Sequence, residues 1–229
     1  MVISLVSICK YPKKKTIWSP FFLNFYFQFV QKNSFSSAIA DDEHEYWDKI
    51  QRKMIKPTEF YEENAEKRQY FYWVDLRGRL FLEDCLPKII STSLKSNGFL
   101  NFFTSRIEMN TTSLHEDYPW MSRCGKELNF IKSADTPIVF SDWVEGGKKL
   151  VFGGDLSIPF HPSLLSFNLD KGRLYHDMVG GTKKNKSRYK GRCLLHPSIA
   201  LQLSNDLSFS HNQVTLTLKG ETIDIPTIK

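Results

Sequence analysis

Seven polar residues stand beside strongly apolar positions: Arg79, Arg106, Glu127, Asn129, Asp135, Arg173 and His176. Some of them must be drawn toward a core, where an unpaired polar group is costly, so they need partners. Two arrangements satisfy that need. One is a structural hydrogen-bond network, the commoner case. The other is a pocket for a small anionic ligand, built from Arg79, Arg106 and Arg173, with His176 as the proton carrier.

A second feature is electrostatic. Residues 180–192 hold Lys183, Lys184, Lys186, Arg188, Lys190 and Arg192 and no acid. Such a run suits phosphate or RNA, with Tyr189 available to stack on a base. The bland alternative is a solvated surface insertion. The stretch from Gly180 to Ser187 comes close to a phosphate-binding loop, with Asn185 where a second glycine belongs. Such a loop needs a helix after it to aim backbone N–H groups at phosphate, and Tyr189-Lys190-Gly191-Arg192 does not read as one.

Other site chemistries lack their signatures. There is no G-x-G-x-x-G, no G-x-S-x-G and no S-x-x-K. His44, His115, His161, His176, His196 and His211 stand apart from one another and from the cysteines, without the close pairs that reveal zinc sites. No cofactor and no metal is therefore expected, and the sequence leaves open whether the chain is an enzyme. Cys124 lies between Arg123 and Gly125-Lys126, whose bases would lower a thiol pKa, although a cysteine is more often a small buried hydrophobe. Cys9, Cys85, Cys124 and Cys193 show no redox or zinc spacing, which fits a reducing compartment.

The net charge of +6 belongs mainly to one end. Residues 1–40 hold five of the 31 bases and none of the 25 acids, so the remainder carries 26 bases against 25 acids. A basic, acid-free, serine-containing leader suits mitochondrial import, although it has no Arg and is interrupted by Pro12 and Pro20. A secretory reading rests on apolar Ile17–Val30 and on Ala38-Ile39-Ala40, which Gln31–Ser37 separates; a cytoplasmic chain with a mispredicted start is the third option. The apolar stretch is shorter than the roughly 20 residues a membrane helix needs, so no transmembrane segment is expected.

Residues 1–40 thus read as a targeting leader outside the fold, and 41–229 as a single domain. With 41% apolar and 14% aromatic residues, it can bury a core without disulfide or metal. Helices are expected over 41–54, from Thr58 as cap to Arg68, over Pro87–Lys95 and over Phe99–Ile107, with Asn97-Gly98 as a C-cap between the last two. Phe99, Phe102, Phe103 and Arg106 share a helical face. Strands are expected at Gln69–Val74, Leu80–Leu82, Glu127–Lys132, Ile138–Trp143, Lys149–Phe152, Leu156–Phe160, Arg173–His176, Leu194–Leu203, Gln213–Leu218 and Thr222–Ile225. Asp75-Leu76-Arg77-Gly78 is a hairpin signal. The fold class is α+β: a mainly antiparallel sheet, closed or folded over, with a few N-terminal helices.

Four ordered blocks complete the reading: Tyr70-Phe71-Tyr72-Trp73-Val74-Asp75 with Gly78-Arg79-Leu80-Phe81-Leu82, Cys124-Gly125-Lys126-Glu127-Leu128-Asn129-Phe130, Asp135-Thr136-Pro137-Ile138-Val139-Phe140, and Gly172-Arg173-Leu174-Tyr175-His176. Together they resemble uncharacterised protein family 0598, a domain-of-unknown-function family, over roughly residues 68–220. The resemblance implies no established reaction or site. Animal members of that family look mitochondrial, which adds weight to an import role for the leader. The expected function is a mitochondrial binding or accessory domain. The alternatives are an RNA- or phosphate-binding protein using loop 180–192 and a small-molecule enzyme around the arginine and histidine pocket.

Overall fold

The computed structural model describes residues 55–179, 187–210 and 213–228. The helix expected over 41–54 and the leader lie outside them. The fold is α+β. Among the described residues the strands form four sheets, none closed into a barrel.

The first sheet begins where the sequence is most aromatic. Helix α1 (Thr58–Glu66) leads into strand β1 (Gln69–Val74), which turns at Asp75–Arg79 into β2 (Leu80–Leu82). The turn is built by its own aspartate, whose Oδ1 accepts the N–H groups of Arg77 and Arg79, both at 2.9 Å. Gly78 takes φ +76° there and lies so near Val139 that a Cβ would stand 2.9 Å from that side chain. Thr58 is the first helical residue and caps nothing, since Pro57 holds the N-cap position.

Residues 87–95 are not a helix. Thr92 Oγ1 bonds the carbonyls of Pro87 (2.7 Å) and Ile89 (3.0 Å), and Ser93 Oγ bonds that of Ile90 (2.8 Å). These hydroxyls occupy carbonyls that a helix would need. Helix α2 (Asn97–Thr104) then starts at the Asn97-Gly98 pair expected to end its predecessor, because Ser96 caps it by accepting the Phe99 N–H. Strands β3 (Ile107–Met109), β4 (Trp120–Cys124) and β5 (Glu127–Ser133) complete the sheet in the order β2-β1-β5-β4-β3.

The next segment changes sheets midway. Ile138–Trp143 divides at Ser141 into β6 (Val139–Phe140) and β7 (Asp142–Val144). Strand β7 pairs with β8 (Lys149–Phe152), which pairs with β9 (Leu156–Pro159). A second five-stranded sheet joins β6 to β10 (Leu165–Asn168), β11 (Arg173–Asp177), β12 (Arg192–Leu195) and β16 (Thr227–Ile228), in the order β16-β10-β11-β12-β6. The strand expected over Leu194–Leu203 stops at Leu195. Pro197 opens helix α3 (Pro197–Ser204), and the His196 ring caps it by accepting the Ser198 N–H at 3.1 Å. Strands β13 (Leu207–Ser210), β14 (Gln213–Leu218) and β15 (Glu221–Ile225) make a closing meander.

The sheets are mixed. Among the described residues β1–β5, β10–β16 and β12–β6 pair in parallel, and the other pairings are antiparallel. One main core takes residues from all four sheets, including Tyr72, Ile131, Phe140, Phe152, Leu174 and Leu216. A smaller core of Phe71, Tyr118 and Phe130 lies on the outer face of the first sheet, under Phe60 and Tyr61 of α1. There the Glu83 carboxylate is 2% exposed; its Oε2 accepts the phenols of Tyr61 (3.0 Å) and Tyr118 (2.5 Å), and Lys132 Nζ stands 3.4 Å from Oε1.

Candidate anion-binding surface

The pocket residues expected from sequence do not converge. Arg79 is held by its own turn, with Nε and Nη2 each 2.6 Å from Asp75 Oδ2. Arg173 pairs with Asp135 Oδ2, which also accepts the Tyr175 phenol at 2.9 Å. His176 lies on the same strand as Arg173, three positions on, and strand alternation sends it to the opposite face. It is fully buried between the rings of Phe140 and Phe160. Its Nε2 accepts the His161 N–H at 3.0 Å, so Nδ1 carries the proton and donates to the Asp177 carbonyl at 2.8 Å. Burial lowers its pKa to about 4, leaving the ring neutral and both nitrogens in use. The ordinary structural network is what these residues build.

Arg106 is different. Two pairs at i,i+4 spacing, Phe99 with Phe103 and Phe102 with Arg106, run along α2 and just past its C-cap, Ser105. Phe99 and Phe103 point to the core, with Phe103 wholly buried. Phe102 remains 43% exposed, and the Arg106 guanidinium lies over its ring, 3.6 Å from the centroid. Arg106 Nη1 donates to the Phe102 carbonyl (2.9 Å) and to Ser105 Oγ (3.2 Å), which fixes the plane of the guanidinium.

Arg188 arrives at the same place from the far end of the chain. Its N–H donates to the Ser105 carbonyl at 3.1 Å, and its Nη1 reaches Glu108 Oε2 at 3.4 Å. Arg123 on β4 places Nε 3.2 Å from Glu108 Oε1. The guanidiniums of Arg123 and Arg188 thus flank one carboxylate, leaving one positive charge in excess, on a surface where both are about half exposed and the Arg106 guanidinium adds a further charge beside Ser105. Exposed ion pairs of this kind hold together by roughly 0–1 kcal/mol each, so their arginines are readily transferred to a stronger anion. Arg forks match phosphate oxygens in a way that a lone ammonium does not.

Sequence reasoning assigned Arg106 to one site and Arg188 to another, and missed Arg123. The only signal for Arg123 was its place beside the Cys124-Gly125 turn. Tyr189 is not available for base stacking: it is 8% exposed, its ring packs against Trp120 at 5.3 Å, and its phenol donates to the Arg192 carbonyl at 2.8 Å. Lys190 and Arg192 are exposed, whereas Lys183, Lys184 and Lys186 lie outside the described residues. The Cys124 thiol is raised by burial, which outweighs the opposing effects of its Ser122 contact and nearby Arg106. Among the described residues no cluster of three or more His, Cys, Asp or Glu side chains gathers to hold a metal, and no helix is long and apolar enough to cross a membrane. Cys85, Cys124 and Cys193 form no disulfide among the described residues.

The family model described as a domain of unknown function, DUF4505, matches residues 61–225. The chain belongs to that family. The DUF4505 match contains all four sequence blocks and every arginine of the surface. Among solved structures, a DUF1285 family protein from Silicibacter pomeroyi is similar at 13% identity and a TM-score of 0.42, covering 70% of this chain and 82% of its own.

Proposed function

We propose that this DUF4505 chain is a binding domain that takes a phosphate-bearing anion on the surface formed by Arg106, Arg123 and Arg188, and that residues 1–40 carry it to the mitochondrion. The pairing of Arg123 and Arg188 with the single carboxylate of Glu108, with Arg106 anchored at Ser105 where the Arg188 backbone docks, carries the reading. Lys190 and Arg192 extend the positive charge along the chain from Arg188. The competing enzyme reading loses support from geometry, because Arg79, Arg173 and His176 are each engaged in separate internal contacts.

Competition and titration with inorganic polyphosphate test the binding. The full chain should bind at 50 mM salt and weaken steeply by 200 mM, because each arginine–phosphate contact releases counterions. The triple variant Arg106→Gln, Arg123→Gln, Arg188→Gln should lose at least tenfold in affinity while keeping its circular dichroism spectrum. Wild-type affinity in the triple variant, or no binding at low salt, would refute the surface. Residues 1–40 fused to a fluorescent protein should co-localise with mitochondria; secretory or diffuse cytoplasmic signal would remove that half of the proposal.

A further inference from the structure

We infer that the anion is single-stranded nucleic acid, held by phosphate contacts to Arg123 and Arg188 and by a base stacked on the Phe102–Arg106 pair. The inference rests on the anion-binding reading above and adds to it the class of ligand.

The decisive feature is an exposed aromatic ring beside excess positive charge. Helix α2 hides Phe99 and Phe103 in the core yet leaves Phe102 in solvent. Leaving a phenylalanine exposed forgoes burial free energy, and a single such residue is ordinary. Here it is the floor of a stack, with the Arg106 plane fixed over it by two hydrogen bonds. Aromatic and guanidinium planes are the surfaces on which unpaired bases stack. Polyphosphate and lipid headgroups have no π face to offer, and a duplex keeps its bases stacked inside. An unpaired strand presents both phosphates and free bases to a surface of this kind.

A simpler account is that Arg106 and Arg188 only cap the end of α2, since one donates to the Phe102 carbonyl and the other to that of Ser105. Arg123 answers it. It touches no helix carbonyl, yet from β4 it pairs with Glu108, the carboxylate that Arg188 also reaches. Glu108 then has a definable role: it gathers Arg123 and Arg188 and repels phosphate, so its charge should weaken binding.

Fluorescence anisotropy on the full chain tests this with three labelled probes at 100 mM salt: a 20-nucleotide oligouridine, an abasic backbone of equal length, and a blunt RNA hairpin. Oligouridine should bind best, at least fivefold tighter than either alternative. Phe102→Ala should weaken oligouridine by about 5- to 100-fold, the range for loss of one base stack, and leave the abasic probe unchanged. Phe102→Trp should restore binding, and Glu108→Gln should strengthen binding of both single-stranded probes. Equal binding of oligouridine and abasic backbone, or a Phe102→Ala variant that binds oligouridine normally, overturns the nucleic-acid inference and leaves anion binding standing. Tighter binding to vesicles of anionic phospholipid than to oligouridine overturns it in favour of a membrane. Failure of every probe and of polyphosphate defeats the anion-binding reading itself.

Discussion

Tyr118 donates its phenol to the Glu83 carboxylate at 2.5 Å beneath helix α1, and the same carboxylate takes the Tyr61 phenol at 3.0 Å. Lys132 completes the group: its ammonium stands 3.4 Å from Glu83 and 3.9 Å from the centroid of the Tyr118 ring. A carboxylate this deeply buried needs all three partners, and burial, reinforced by the neighbouring Glu83 carboxylate, pushes the Tyr118 phenol up.

Removing a partner should therefore cost more than an average hydrogen bond. Tyr118→Phe is expected to lose about 1–3 kcal/mol of unfolding free energy. Lys132→Met should lose about 3–5 kcal/mol by leaving a buried charge uncompensated. Adding Glu83→Gln to Lys132→Met should recover part of that loss, because the two residues belong to one network. Urea unfolding measures all three, and a Lys132→Met cost below 1 kcal/mol would show that the carboxylate is neutralised by other means.

His176 gives the protein an acid-sensitive core. Its folded pKa of about 4 lies below the unfolded value near 6.5, so between those limits the unfolded chain binds a proton that the folded chain refuses. Its contribution is fully present above pH 6.5, falls as pH drops toward 4, and amounts to about 3 kcal/mol over that window. His176→Gln keeps a donor and an acceptor without the titration. Unfolding curves from pH 7 to 4 should be flatter in the variant than in the native protein; identical slopes, or a His176 NMR resonance titrating near 6.5, would contradict the assignment.

Two glycines separate backbone strain from close approach. Gly78 and Gly125 both have positive φ, but only Gly78 has a neighbour where a Cβ would go. Gly125→Ala should cost about 1–2 kcal/mol for the left-handed backbone alone. Gly78→Ala should exceed it by about 1–3 kcal/mol, because the hairpin tip must retreat from Val139. Equal midpoints in thermal denaturation would mean that the tip has room to move.

The legible parts of the fold were those set by local chemistry. Tyr70–Val74 is aromatic and β-branched throughout, and Asp75 and Gly78 specify the turn after it, so strand and hairpin appear where the residues demand them. Leu194–Leu203 was misread because its leucines and isoleucine fit a buried strand or a buried helix equally well; Pro197 and the capping ring of His196 decide between them. Trp120–Cys124 has no period-two pattern, and it becomes a strand because β5 and β3 pair on either side of it. The surface was less legible still. Arg106 and Arg188 lie 82 positions apart, and nothing local announces that the Arg188 N–H will bond the carbonyl of Ser105.

The parallel pairing of β1 with β5 has a consequence for synthesis. Gln69 meets Leu128, 59 positions later, with the whole of β2, α2, β3 and β4 between them. As the polypeptide leaves the ribosome, β1 gains its hairpin partner within a few residues, but its other edge stays bare until β5 emerges. During that interval Tyr70, Phe71, Tyr72 and Trp73 offer an open template to any passing strand. A chaperone that shields short aromatic segments would be needed most while the ribosome translates the codons between these two strands.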